Sequence, residues 1–184
     1  MLNAVMLSAQ ATDKSVNIAT SRLFSVANTP QAILDLGEDR LKTYINSIGL
    51  YNSKAINIIK TCQALLDKHS GQVPCTQDEL EALAGVGRKT ANVVLNTAFG
   101  KPVVGVDTHM FRGGKRTGLT KEKTVLAVEK ALMARVPREY LVDAHHYLIL
   151  HGRYTCMARS PKCGSCVVFD ECMFKDKDEW ADMA

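Results

Sequence analysis

The sequence predicts an all-α fold, and three observations carry that prediction. Apolar residues recur at helical spacing almost throughout. Helix start and stop signals punctuate the chain. Only one short run reads as a strand. In order, Asp13 opens a helix whose face carries Val16, Ala19 and Leu23. Ser53 is placed to cap a second, with Ala55, Ile58, Ile59, Cys62, Leu65 and Leu66 on its stripe. Cys62 therefore reads as a buried core thiol. Thr76-Gln77-Asp78-Glu79 is a capping box that opens a short helix through Leu83. Residues 88–99 read as a helix ended by Gly100. Val103-Val104-Gly105-Val106 is the strand-like run, too short and solitary to found a sheet. Residues 121–136 form a helix stopped by Pro137, and a further helix runs from about Glu139 to His151, with Gly152 as its stop.

The chain has 184 residues, enough for one medium domain or two small ones. Hydrophobic residues are 46% and aromatics 6%, so a core is available and must be aliphatic. The net charge of +4 is too small to imply a nucleic-acid partner by itself. The basic residues are uneven, however: Lys101, Arg112, Lys115, Arg116, Lys121 and Lys123 face only Asp107 and Glu122 in their stretch. Nothing reads as a membrane span. The first eleven residues imitate a signal peptide, with Ala9-Gln10-Ala11 as its cleavage site. They lack a basic leading region, and Asn3 interrupts the apolar stretch, so we expect no such peptide. Free thiols in a reducing cytosol are the matching expectation for the cysteines.

Cys156, Cys163, Cys166 and Cys172 fall within one loop-rich segment, in the spacing C-x6-C-x2-C-x5-C. The segment contains Pro161 and Gly164 and has little apolar bulk. Four thiolates so close are ligands for one soft metal centre, either a four-iron, four-sulfur cluster or a structural zinc. The metal would supply folding energy that packing cannot. Two disulfides or four free thiols are the plainer alternatives.

Leu83-Ala84-Gly85-Val86-Gly87-Arg88-Lys89-Thr90-Ala91 is a turn between two marked helices. Its glycines are expected to supply positive φ angles and allow close backbone approach. The following helix start, with free amides and a positive dipole end, makes a phosphate site, to which Arg88 and Thr90 add donors. That suits DNA held through its backbone rather than its bases. Lys89 lies in the first turn of that helix. The dipole and Arg88 both disfavour an ammonium there, which favours a neutral, nucleophilic amine. Contact with phosphate is the plainer role. Asp107, in Gly105-Val106-Asp107-Thr108-His109, follows the apolar run and precedes a helix. It can cap that helix through the following amides, stabilise a positive transition state, or both. His145, His146 and His151 lack carboxylate company and read as packing or polar-network residues.

These motifs resemble the endonuclease III family, bifunctional DNA glycosylases and abasic-site lyases of the helix-hairpin-helix superfamily. The resemblance runs from Ser8-Ala9-Gln10-Ala11-Thr12-Asp13 to Cys172. It includes Ile48-Gly49-Leu50-Tyr51-Asn52-Ser53-Lys54-Ala55, the hairpin through Lys89, Val106-Asp107-Thr108-His109 and His151-Gly152-Arg153-Tyr154-Thr155-Cys156. It implies a [4Fe-4S] cluster held by Cys156, Cys163, Cys166 and Cys172, and a six-helix barrel domain beside a cluster domain. The barrel is expected over 1–104, continuing to about 118, with the hairpin element at about 78–99. The active-site loop, remaining helices and cluster domain take 105–184, the cluster segment being 156–172.

By the same resemblance, Lys89 attacks C1′ of a damaged nucleotide, and Asp107 activates Lys89 and stabilises the sugar cation. Gln10 and Leu50 fill the hole left by the flipped base. Gly85, Gly87, Arg88 and Thr90, with Arg159 and Lys162 between the first two cysteines, meet DNA. The implied partner is double-stranded DNA containing oxidised pyrimidines or abasic sites. A monomer in the bacterial cytoplasm, associated with the nucleoid, is expected. Related adenine glycosylases lack a lysine at the position of Lys89. A non-catalytic DNA-binding module that keeps hairpin and cluster is the alternative. Three departures from the family pattern stand out. The chain begins at the family's second helix, Ala84 replaces a hairpin proline, and Gly113-Gly114 sit inside a helix, where two glycines cost about 2 kcal/mol relative to alanine.

Overall fold

A computed structural model describes residues 1–183, and among them every regular element is helical. The chain forms two compact units, Met1–Phe99 and Gly100–Ala184.

The first unit holds α1 (Leu2–Ser8), α2 (Asp13–Phe24), α3 (Pro30–Leu36), α4 (Glu38–Ile45), α5 (Tyr51–His69), α6 (Gln77–Glu81) and α7 (Arg88–Phe99). Threonine hydroxyls start three of them: Thr12, Thr29 and Thr76 accept the amides of Ser15, Ala32 and Glu79. The α2 cap is thus Thr12, one residue before the expected Asp13, because the hydroxyl reaches the third amide and Asp13 is already helical. At the expected capping box the Thr76 hydroxyl accepts the Glu79 amide as foreseen, but it also donates to the Glu79 carboxylate, which therefore bonds the hydroxyl. The helix expected from Ser53 begins earlier, at Tyr51, after Leu50 in a left-handed conformation. Leu7, Leu23, Leu41, Ile45, Ile58, Cys62 and Val94 are fully buried, an aliphatic core that includes the expected Cys62 thiol.

The second unit holds α8 (Thr108–Thr117), α9 (Val125–Arg135), α10 (Leu141–Tyr154) and α11 (Lys177–Asp182). Val104, Val106, Met110, Val128, Leu132 and Leu141 form its core. Residues 103–106 are irregular rather than a strand: Val104 and Val106 are buried, and the Gly105 amide donates to His145 Nδ1 at 3.3 Å. His145 is therefore the expected polar-network histidine. The helix expected from 121 starts at Val125, capped by Thr124. The expected stop at Gly152 is wrong, since α10 continues through it to Tyr154. A Cβ on Gly152 would lie 2.6 Å from the His109 carbonyl oxygen. This glycine lets α10 press against α8; it ends nothing. Gly113 and Gly114 do lie inside α8, both buried.

Candidate active site and metal centre

Of the two glycines in the hairpin between α6 and α7, only Gly85 is demanded by the turn. Gly85 has φ +76°, and a Cβ there would fall 2.7 Å from Asn57 Nδ2. Gly87 has no positive φ, contrary to expectation, and a Cβ on it would meet nothing within 4 Å. The protein's own packing therefore does not require glycine at 87. Thr61 donates to the Ala84 carbonyl at 2.9 Å, fastening the turn to α5. Helix α7 then opens with Arg88 and Lys89, both exposed, and Thr90, which is half-buried. Arg88 stands 3.9 Å from Glu81 across the turn. Bare glycine, helix start and exposed lysine thus fall in three consecutive residues, Gly87 to Lys89.

Gln10 and Leu50 are brought together. Both are exposed, and both take left-handed backbone conformations, φ +53° and +61°. A Cβ on Gly49 would lie 3.8 Å from the Gln10 carbonyl oxygen, so the two turns are neighbours. Two adjacent non-glycine residues in this region store backbone strain, which clusters at functional sites.

Asp107 caps α8. Its Oδ1 accepts the Met110 amide at 2.8 Å, which leaves the second carboxylate oxygen outside the cap. The capping role read from sequence is real and does not occupy the whole carboxylate.

The four cysteines of the C-terminal segment surround one small cavity, with Thr117, His151, Pro161 and Phe174 also in its lining. No disulfide joins them. Successive turns build the segment: the amides of Cys166, Phe169 and Cys172 donate to the carbonyls of Cys163, Cys166 and Phe169. Burial, then the neighbouring Cys156, Cys166 and Cys172, push the Cys163 thiol above its ordinary pKa. Thiolates gathered there need a compensating cation. Four thiols around one cavity are a ligand set for an iron–sulfur cluster or a structural zinc. Arg159 and Lys162 are exposed on the loop between the first two cysteines, and the Lys162 amide donates to Thr155.

Sequence reading missed three structural cations. Arg112 and Arg116, one turn apart on α8, were counted only as part of a basic stretch. Arg112 donates to the carbonyls of Cys156 at 2.9 Å and Gly152 at 2.5 Å. Arg116 donates to the carbonyls of Met157 and Ala158, stands 3.7 Å from Cys156 Sγ, and stacks on Phe174. Their four-residue spacing was the available signal. The third is Lys54, buried in α5, for which the sequence offers no signal beyond a lysine one position before an apolar stripe.

Residues 4–138 match the HhH-GPD superfamily of base excision DNA repair proteins, and residues 156–172 match the iron–sulfur binding domain of endonuclease III. The chain is 64% identical to endonuclease III of Haemophilus influenzae over 180 residues, 98% of this chain and 85% of that one. It is 62% identical to endonuclease III of Escherichia coli over 177 residues, 96% and 84% of the two chains. A trapped covalent endonuclease III–DNA intermediate matches with TM-score 0.90 at 47% identity, covering 100% of this chain and 84% of that one. A non-covalent endonuclease III–DNA complex matches with TM-score 0.90 at 48% identity, covering 97% and 83%. Hairpin, helix-capping aspartate and cysteine-lined cavity thus occur on a chain that belongs to the endonuclease III family of base excision DNA repair proteins.

Proposed function

We propose that Lys89 and Asp107 carry the chemistry of this protein, a DNA glycosylase and abasic-site lyase that acts on oxidised pyrimidines in duplex DNA. The observation that carries the assignment of Lys89 is its placement, an exposed lysine in the first turn of α7, two residues after the bare Gly87. The neutral amine attacks C1′ of the flipped nucleotide. The bond from C1′ to the base nitrogen breaks, and the base leaves with a proton. Opening of the sugar ring gives a Schiff base between Lys89 and C1′. Loss of a C2′ proton then expels the 3′ phosphate and cuts the strand, and water releases Lys89. The Asp107 carboxylate takes the ammonium proton and offsets positive charge on the sugar as the base departs.

Gln10 and Leu50 occupy the space the nucleotide vacates, because C1′ is unreachable inside the stack. Gly85, Gly87, Arg88, Thr90, Arg159 and Lys162 hold phosphates, a role that positions DNA without reading its sequence. Cys156, Cys163, Cys166 and Cys172 hold the [4Fe-4S] cluster, which ties the C-terminal segment together. The protein works on the nucleoid, in the bacterial cytoplasm. A non-catalytic DNA-binding module would not need both Lys89 and Asp107, and identity of 62–64% over nearly the whole chain argues against it. The test is borohydride trapping on abasic DNA. Wild type should become covalently linked, and Lys89→Gln should not link while still binding the duplex. Undiminished strand cleavage by Lys89→Gln would overturn the assignment.

A further inference from the structure

Lys54 is a lysine with only 8% of its surface exposed. Its ammonium donates to the carbonyls of Leu7 at 2.8 Å and Ala9 at 2.6 Å. These carbonyls lie at the C-terminal end of α1, where backbone acceptors have no partner within the helix and the dipole is negative. The chain then turns at once: Ala9 sits at φ −58°, ψ 120°, Gln10 at φ +53°, and the Ala11 amide donates to the Ser8 carbonyl at 3.1 Å. This is a type II turn with glutamine where that turn asks for glycine. The backbone amide of the same Lys54 donates to the Leu50 carbonyl at 3.0 Å, in the first turn of α5. That main-chain bond is the ordinary first bond of α5; it seats Lys54 one helical turn from Leu50, while its side chain alone ties the Gln10 turn to α5.

Burial of a charge is unfavourable and lowers the Lys54 pKa from its ordinary value. An apolar residue would fill the same space without that cost but would leave the Leu7 and Ala9 carbonyls unsatisfied. We infer that Lys54 is a positioning residue that holds Gln10 and Leu50 side by side, ready to enter the duplex when a nucleotide leaves it. This rests on the role proposed above for that pair. Lys54 touches neither substrate nor reacting atoms; its ammonium is spent on the backbone.

The test separates extrusion from chemistry. Removal of an oxidised pyrimidine from duplex DNA requires the base to leave the stack, whereas cleavage of a single-stranded abasic oligonucleotide does not. Lys54→Met should lose about tenfold in the duplex rate, the effect of a lost charge-assisted hydrogen bond. Its single-strand cleavage should stay within about twofold of wild type. In a Leu50→Ala background, which has already lost half the pair, Lys54→Met should change the duplex rate little further. Equal losses in both assays, or full additivity with Leu50→Ala, would assign Lys54 to the fold alone and overturn the proposal. Lys54→Arg keeps a cation on a stem of different reach. It carries the same comparison if Lys54→Met does not fold at the assay temperature, with a duplex-specific loss expected and an equal loss contradicting. Absence of cleavage by wild type on abasic duplex and single strand alike would instead count against the lyase reaction proposed above, which leaves the two failures distinguishable.

Discussion

Around the hairpin the chain is pinned by apolar side chains: Ile58, Cys62 and Leu80 are wholly buried and Leu83 and Val86 nearly so. From Cys156 onward, among the described residues, only Cys156, Pro161 and Cys163 are buried. Helix α11 buries none of its side chains. The hairpin is shaped by ordinary packing of these apolar side chains. The cysteine segment has turns, arginine clamps and thiols, and lacks a core. One region should therefore survive without metal and the other should not.

The largest effect follows directly. Cys166→Ser should lose the yellow-brown colour and the expected complement of about four irons and four sulfides. The C-terminal segment should become sensitive to protease, with a loss on the order of 5 kcal/mol. Cys62→Ser and Cys75→Ser should keep the colour, since Cys62 lies in the first unit's core and Cys75 on its surface. Iron analysis and limited proteolysis check both. Stoichiometric zinc in protein purified anaerobically from iron-replete cells would contradict the cluster.

Next in size is Asp107→Asn. Asparagine caps a helix about as well as aspartate, so the bond to the Met110 amide is retained and only the charge goes. The base-removal rate should fall about a hundredfold, near 2.7 kcal/mol, with duplex affinity much less changed. Parallel loss of rate and binding would reduce Asp107 to a cap.

The smallest pair of effects sharpens the reading of the hairpin itself. Gly85→Ala forces a Cβ into a left-handed residue and against Asn57, and should cost about 2 kcal/mol of stability. Gly87→Ala has open space and should leave thermal stability near wild type. Its affinity should drop alike for damaged and undamaged duplex, because phosphate contacts carry no lesion information. Normal binding by Gly87→Ala to both duplexes would make the hairpin a structural turn only.

The fold was legible wherever a local signal and the tertiary structure agreed. Helix α7 over 88–99, with Gly100 after it, and the capping box at Thr76 follow from neighbouring residues alone. The errors arose where a distant partner decided. Gly152 carries the local signature of a helix stop, yet its missing side chain serves the His109 backbone 43 residues earlier in the chain. Gly87 looked like a conformational glycine and has no positive φ. Ser53 has a capping side chain, but the left-handed Leu50 had already started α5. Within the site, the cysteine spacing announced the metal centre, whereas Arg112, Arg116 and Lys54 bind backbone carbonyls. Such contacts leave no motif, since any carbonyl can accept and only the folded chain shows which one does.

The most direct test of the account is the location of the covalent bond. Wild-type protein is trapped on abasic DNA with borohydride, digested, and the DNA-linked peptide is sequenced by mass spectrometry. A single adduct on Lys89 is expected, with none on Lys54, whose amine is buried against the Leu7 and Ala9 carbonyls, and none on Lys162. An adduct on another lysine, or strand cleavage with no trapped species, would contradict it.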